Sequence, residues 1–205
     1  MAVEERPPAR LRDRKRARTR RMVQAEALRL FADKGYYGTT VEDIADAAAI
    51  SPRTFFRYFA AKEDVVVWDG QDLLPAESPA ARPPGEPVAM TVHAAFREML
   101  RKFGSQDRDL MVARLRLVFT IPEIRSRYWS DQPDAPSVFR TMLAARNIPV
   151  DEPQVLVVVM AIMNAASVAM DRWQRDGGTG DLVALFDAAV DALAAALRQL
   201  RPACG

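Results

Sequence analysis

The chain has 205 residues, 49% of them apolar and 27% charged, with only 9 glycines and a formal charge of +2. That length and composition exclude a disordered or fibrous protein and leave room for a small domain joined to a larger one. Cys204 is the only cysteine, which excludes an intramolecular disulfide and a thiolate zinc site.

The charge is unevenly spread. Through Lys62 there are 14 Lys and Arg against 8 Asp and Glu, whereas the remainder carries 15 against 19. Positive charge collects in the first third, as expected of a part that faces a polyanion. The N-terminal stretch lacks the apolar core of a secretory signal, so a cytoplasmic location is expected.

Residues 1–18 hold Arg6, Arg10, Arg12, Arg14, Lys15, Arg16 and Arg18 with little apolar content, and are expected to form a mobile, disordered basic arm. From about Thr19 to Lys34, Val23, Ala27, Leu30 and Phe31 recur at helical spacing and make one apolar face, and Gly35 ends the helix. Thr40 and Asp43 are spaced as a capping box for a second helix, about Val41 to Ala48, with Val41, Ile44 and Ala45 inward. After a turn at Ala49 and Ile50, Ser51 caps a third short helix whose first position is Pro52 and which runs to about Phe59.

Another helix is expected to begin near Lys62 and stop before Pro75, since Pro75, Pro79, Pro83, Pro84 and Pro87 make a loop between the two parts. Beyond it, Phe96, Met99, Leu100 and Phe103 mark one amphipathic helix and Leu110, Ala113 and Leu117 another. The last two helices run from Glu152 to about Arg175 and from Asp181 to about Leu200, joined at Gly177 to Gly180. The apolar run from Val155 to Met170 is shorter than the roughly 20 residues of a membrane span and reads as a fully buried helix. No stretch alternates as a strand does, so the fold class is all-α. The expected parts are the arm (1–18), a three-helix reader (19–65), a connecting helix and loop (66–87) and a larger helical domain (88–205).

Two short helices joined by a tight turn, with a third packed across them, form a helix-turn-helix unit whose last helix enters the major groove. In the stretch SPRTFFRYFAAKEDV, Phe55 and Phe59 are four apart and fall on the core side, while Arg53, Phe56 and Arg57 point elsewhere. Arg53 can bond a guanine twice and Phe56 can meet a thymine methyl, while Tyr58 and Lys62 reach phosphates. Free N–H groups beside Thr40 and Ser51 add backbone donors suited to phosphate oxygens.

The run from Arg20 to Val67 resembles the DNA-binding domain of TetR-family transcriptional regulators. The likeness lies in Leu30-Phe31, Gly35-Tyr36, Thr39-Thr40, Asp43-Ile44-Ala45, Ser51, Thr54, Phe55, Tyr58, Phe59, Lys62 and Glu63. It implies phosphate contacts at Thr40, Thr54, Tyr58 and Lys62, and base contacts at Arg53 and Phe56. Two positions depart from the family pattern: Ala49 stands where the turn usually has glycine, which implies mild strain, and Phe56 where a tyrosine is usual.

The resemblance also implies a helical second domain that dimerises and binds a small effector. The stripe of Leu182, Leu185, Phe186, Ala189, Val190, Leu193, Ala196 and Leu197 independently suits a homodimer through the last two helices, and a two-fold dimer matches an inverted-repeat operator in duplex DNA. Phe96, Met99, Phe103, Trp129, Met160, Met163 and Trp173 are candidate lining for an apolar pocket, with Asn164 as its polar handle. The second half is also similar to the subgroup with an acyl-CoA-like ligand domain, which implies an apolar or acyl-type effector whose binding releases DNA from a repressor. His93, the only histidine, reads as a surface or pocket-edge imidazole. No motif for a nucleophile, a phosphate-cradling loop or a metal is present, so no enzyme, cofactor or membrane role is expected. The competing reading is an architectural or regulatory DNA-binding protein without an effector.

Overall fold

The computed structural model describes residues 9–67, 83, 85–104, 107–130 and 153–199. Every regular element among them is helical: α1 (Ala9–Lys34), α2 (Val41–Ala47), α3 (Pro52–Tyr58), a 3₁₀ turn (Lys62–Val65), α4 (Val88–Gly104), α5 (Arg108–Thr120), α6 (Pro122–Ser130), α7 (Pro153–Arg175) and α8 (Leu182–Gln199). They fall into two compact units, Met1–Trp68 and Asp69–Gly205. The expected connecting helix lies mostly outside the described residues; its first turn is the 3₁₀ segment.

In the first unit α1 packs on α2 and on the 3₁₀ turn, and α2 packs on α3. Val23, Ala27, Leu28, Leu30 and Phe31 of α1 meet Ile44, Ala45, Phe55 and Phe59 in one apolar core. The basic N-terminal stretch is not a mobile arm from Ala9 onward: those residues are the first turns of α1. Arg, Lys and Ala are good helix formers, and extending a helix nucleated elsewhere adds one bond per residue fixed, so the arm is carried into helix by the packed part.

Thr39 and Thr40 share the turn between α1 and α2. The buried Thr39 hydroxyl reaches back to the Gly35 carbonyl at 2.8 Å, while Thr40 forms a complete capping box with Asp43 at the start of α2.

Two turns in the chain close with the same pair of backbone bonds. After α2, Ile50 N–H reaches Ala45 O at 2.9 Å and Ala49 N–H reaches Asp46 O at 3.0 Å; after α7, Gly178 N–H reaches Trp173 O at 2.9 Å and Gly177 N–H reaches Gln174 O at 3.1 Å. This closure needs a left-handed residue at its fifth position. Gly177 supplies it with φ +68°, but after α2 the residue is Ala49 with φ +50°. The expected strain is therefore present, because a Cβ in that conformation costs about 1–2 kcal/mol.

The second unit is a helical hairpin, α7 and α8, covered on one side by α4 and α5, with α6 against α5. Val92, Phe96, Leu100 and Phe103 of α4 fill the space beside Ile162, Ala166, Ala169, Trp173 and Phe186. The unit is also tied electrostatically, since Asp187 of α8 takes His93 Nε2 at 2.9 Å and Arg97 at 3.3 Å. His93 stacks on the Phe186 ring, with centroids 5.1 Å apart. The α7 helix is long and apolar enough to cross a membrane, but one stripe of it packs against three neighbouring helices. It is not fully buried, because Val157 and Val168 on its other side are 67% and 62% exposed.

The repeated turn gives a direct test. Ala49→Gly should raise the stability of the first unit by about 1 kcal/mol, and Gly177→Ala should lower that of the second by a similar amount, each read as a shift in thermal midpoint.

Candidate nucleic-acid interface

The α3 helix has 7 residues, too few to be stable alone, so its position depends on caps and anchors. Ser51 Oγ accepts the Thr54 N–H at 3.1 Å and lies 3.0 Å from the Thr54 hydroxyl, with Pro52 at the first helical position. At the other end Phe55 and Phe59 are buried, their rings 5.3 Å apart. The faces divide as expected: Phe56 is 54% exposed, with Arg53 and Arg57 exposed on either side of it. Phe56 stands edge-on to Phe55 at 5.5 Å, which fixes the exposed ring against the buried one. The Arg57 guanidinium lies 5.3 Å from the centre of the half-buried Tyr58 ring.

Thr40 is exposed at the start of α2, where its N–H and hydroxyl both donate to Asp43 Oδ2 at 2.9 Å. These two bonds, backbone first, with Lys34 at 3.1 Å, hold the Asp43 carboxyl down at about 2, below its ordinary 3.8. An ionised Asp43 therefore locks Thr40 in one orientation at neutral pH.

Lys62 has an internal task that spacing does not reveal. Its ammonium donates to Tyr36 O and Thr39 O at 2.9 Å each and sits 4.1 Å from the Tyr36 ring centre. The Tyr36 hydroxyl in turn donates to Glu63. Lys62 and Glu63 thus bolt the 3₁₀ turn to the loop that carries Thr40. Arg20 is a second residue missed by pattern reading: its Nη1 donates to Tyr58 O at 3.2 Å and its guanidinium lies over the Phe59 ring at 4.8 Å. Among so many arginines, nothing local distinguishes Arg20.

The candidate ligand residues of the second unit do not converge. Phe96 and Phe103 are core, packed against Phe186 and Trp173. Trp173 is itself buried and donates to Gly180 O at 3.3 Å. Met99 and Met163 are half-buried, but Met160 and Asn164 lie on the exposed side of α7, where the Asn164 amide donates back to Met160 O at 2.8 Å. Neither lines a cavity with the others, since a four-residue spacing puts them together on the outer face. The Trp129 side chain lies outside the described residues. Among the described residues no group of His, Cys, Asp and Glu is placed to hold a metal.

Comparison with known proteins covers both units. Residues 25–67 match the family model described as bacterial regulatory proteins, tetR family, and residues 86–198 match that of the MftR C-terminal domain. Over 195 residues the chain is 34% identical to the HTH-type transcriptional regulator TcmR of Streptomyces glaucescens, spanning 89% of this chain and 86% of that one. It is 26% identical over 193 residues to the regulator MftR of Mycobacterium tuberculosis, spanning 91% and 95%. Among solved structures it is similar to FadR of Thermus thermophilus, a TetR-family repressor in complex with lauroyl-CoA, with a TM-score of 0.54 and 20% identity over 91% of this chain and 99% of that one. FadR of Bacillus subtilis in complex with stearoyl-CoA gives 0.55 and 17% over 84% and 96%. These two structures share the fold.

The Asp43 lock predicts a pH response with a definite sign. Because the folded carboxyl titrates below the unfolded one, its contribution is complete above about 3.8 and is lost as pH falls through about 2. Asp43→Asn should lower the thermal midpoint of the first unit at neutral pH and flatten its fall in that acid range.

Proposed function

This chain belongs to the TetR family of bacterial regulatory proteins and is a DNA-binding transcriptional regulator, not an enzyme; from that premise we propose that it is a repressor. In this reading a homodimer holds an inverted-repeat operator and releases it when a small, largely apolar effector binds. The observation that carries the DNA-facing part is α3 itself, a capped and anchored helix with Phe56 exposed between Arg53 and Arg57.

Arg53 and Phe56 would approach base edges, with Arg57 beside them. Ser51, Thr54 and Tyr58 would meet phosphates, and Thr40 would do so by turning its hydroxyl hydrogen from Asp43 Oδ2 to the phosphate. Lys62 would join them with the ammonium hydrogen that its two carbonyl partners leave over. A phenylalanine at position 56 cannot donate to phosphate, which favours an apolar contact such as a thymine methyl.

The outer side of α7 supports the dimer. Val157, Met160 and Val168 are exposed there with Asn164 between them, and Leu197 is exposed on α8, an apolar seam suited to pairing two hairpins into four helices. For the effector, the half-buried Met99 and Met163 are adaptable side chains on α4 and α7, and an acyl-type molecule fits their chemistry. The acyl-CoA molecules in the two FadR structures point the same way. Effector binding would favour a dimer in which the two copies of α3 no longer match the half-site spacing.

Selection of bound duplexes from a random pool tests the reading: an inverted repeat is expected, and its absence would remove the dimeric operator. Arg53→Ala should relax the preference at one base pair per half-site, by about 1–3 kcal/mol of discrimination, while Tyr58→Phe and Lys62→Ala weaken binding to all sequences. Equal losses for Arg53→Ala on operator and random DNA would remove Arg53 from base reading. Val168→Glu should convert the dimer to a helical monomer in light scattering; an unchanged mass would place the interface elsewhere.

A further inference from the structure

Beyond base reading by α3, we infer that the first turns of α1 form a second DNA-binding surface, which holds phosphates flanking each half-site without reading sequence. The α1 helix begins at Ala9, and from Arg14 onward its first buried side chain is Val23. The intervening turns extend about 20 Å at 1.5 Å per residue. Arg14, Lys15, Arg16, Arg18 and Arg21 are exposed there, and none forms an ion pair among the described residues.

Some exposed arginines elsewhere are neutralised by neighbours: Arg29 pairs with Glu26 and Asp33, Arg101 with Glu98, and Arg172 with Asp176. Others, Arg53, Arg57, Arg116 and Arg125 among them, are not neutralised in this way among the described residues; what sets this stretch apart is that five such cations fall between residues 14 and 21. Along the extension, Asp13 is the only carboxylate spaced to meet any of the five, three residues before Arg16. Arg14 and Arg18 are four apart, and Lys15, Arg18 and Arg21 three apart, so like charges face one another along the helix. A polyanion relieves that repulsion and releases its own counterions on binding.

Position and chemistry select duplex DNA over other polyanions. Arg20, in the same stretch, is fastened to Tyr58 O and the Phe59 ring, so the extension leaves the domain beside the C-terminal end of α3, next to the exposed Arg57. DNA lying on α3 brings its flanking backbone to this helix. A membrane surface fits poorly, because cations surround the helix and Ala17 is the only apolar side chain between Arg14 and Arg21.

The test is a quadruple variant, Arg14→Ala, Lys15→Ala, Arg16→Ala and Arg18→Ala, in the full chain, with an Arg14→Lys, Arg16→Lys and Arg18→Lys control. Alanine keeps the helix, which circular dichroism checks. Binding is measured against salt on a wild-type-selected duplex, with and without flanks of roughly one DNA turn, and on a random duplex. The slope of log K against log salt should become about 2–4 units shallower on flanked and random DNA alike. Affinity added by flanks should vanish, base preference should not change, and the lysine control should behave as wild type. Slopes equal to wild type on both duplexes would overturn the inference, as would an unchanged DNA slope with lost binding to phosphatidylserine vesicles. Failure of α3 as reader would appear separately, as no operator preference even in the wild type, and a slope difference on random DNA would still support the extension.

Discussion

A helix of two turns cannot hold itself in water, and everything proposed for α3 depends on how that is overcome. Burial of Phe55 and Phe59 ties the helix to α1 and α2, Ser51 and Pro52 start it, and Arg20 closes its far end on Tyr58 O. Each exposed residue inherits its direction from that anchorage. Phe56 is oriented by the ring beneath it, and Arg53 and Arg57 by a backbone that cannot roll without exposing Phe55. The same economy governs Thr40, whose exposed hydroxyl is held by Asp43 from one side and whose loop is held by Lys62 from the other.

The second unit obeys a different constraint. Its hairpin helices run to 23 and 18 residues, so their faces more than their caps decide the architecture. One side of α7 is small and aromatic, Ala165, Ala166, Ala169 and Trp173, and lets its neighbours approach closely. The other side is exposed at the apolar Val157, Met160 and Val168, which accounts for a composition that would also suit a membrane span.

Much of the reader was legible because its determinants are local. A capping box, a serine cap, a proline at a first helical position and aromatic residues four apart act locally, and each appears where its chemistry requires. The Ala49 turn was legible as well, since a left-handed position can be located from spacing. The ties that hold the reader together were not: Arg20 to Tyr58, Lys62 to Tyr36 and Tyr36 to Glu63 join residues 38, 26 and 27 apart. The start of α1 was misread because composition reports how a segment behaves alone, whereas this one continues a helix already packed. The lining of a pocket is less legible for a related reason, because periodic Phe and Met look alike whether they fill a core, line a cavity or cover a seam.

The shared carboxylate of Asp187 bears on how α4 and α8 move. His93 and Arg97 lie one turn apart on α4 and both converge on it. With the His93 ring also lying flat against Phe186, α4 and α8 are joined at one place by both a carboxylate and a ring. A displacement of α4 would therefore reach α8 first through Asp187 and Phe186.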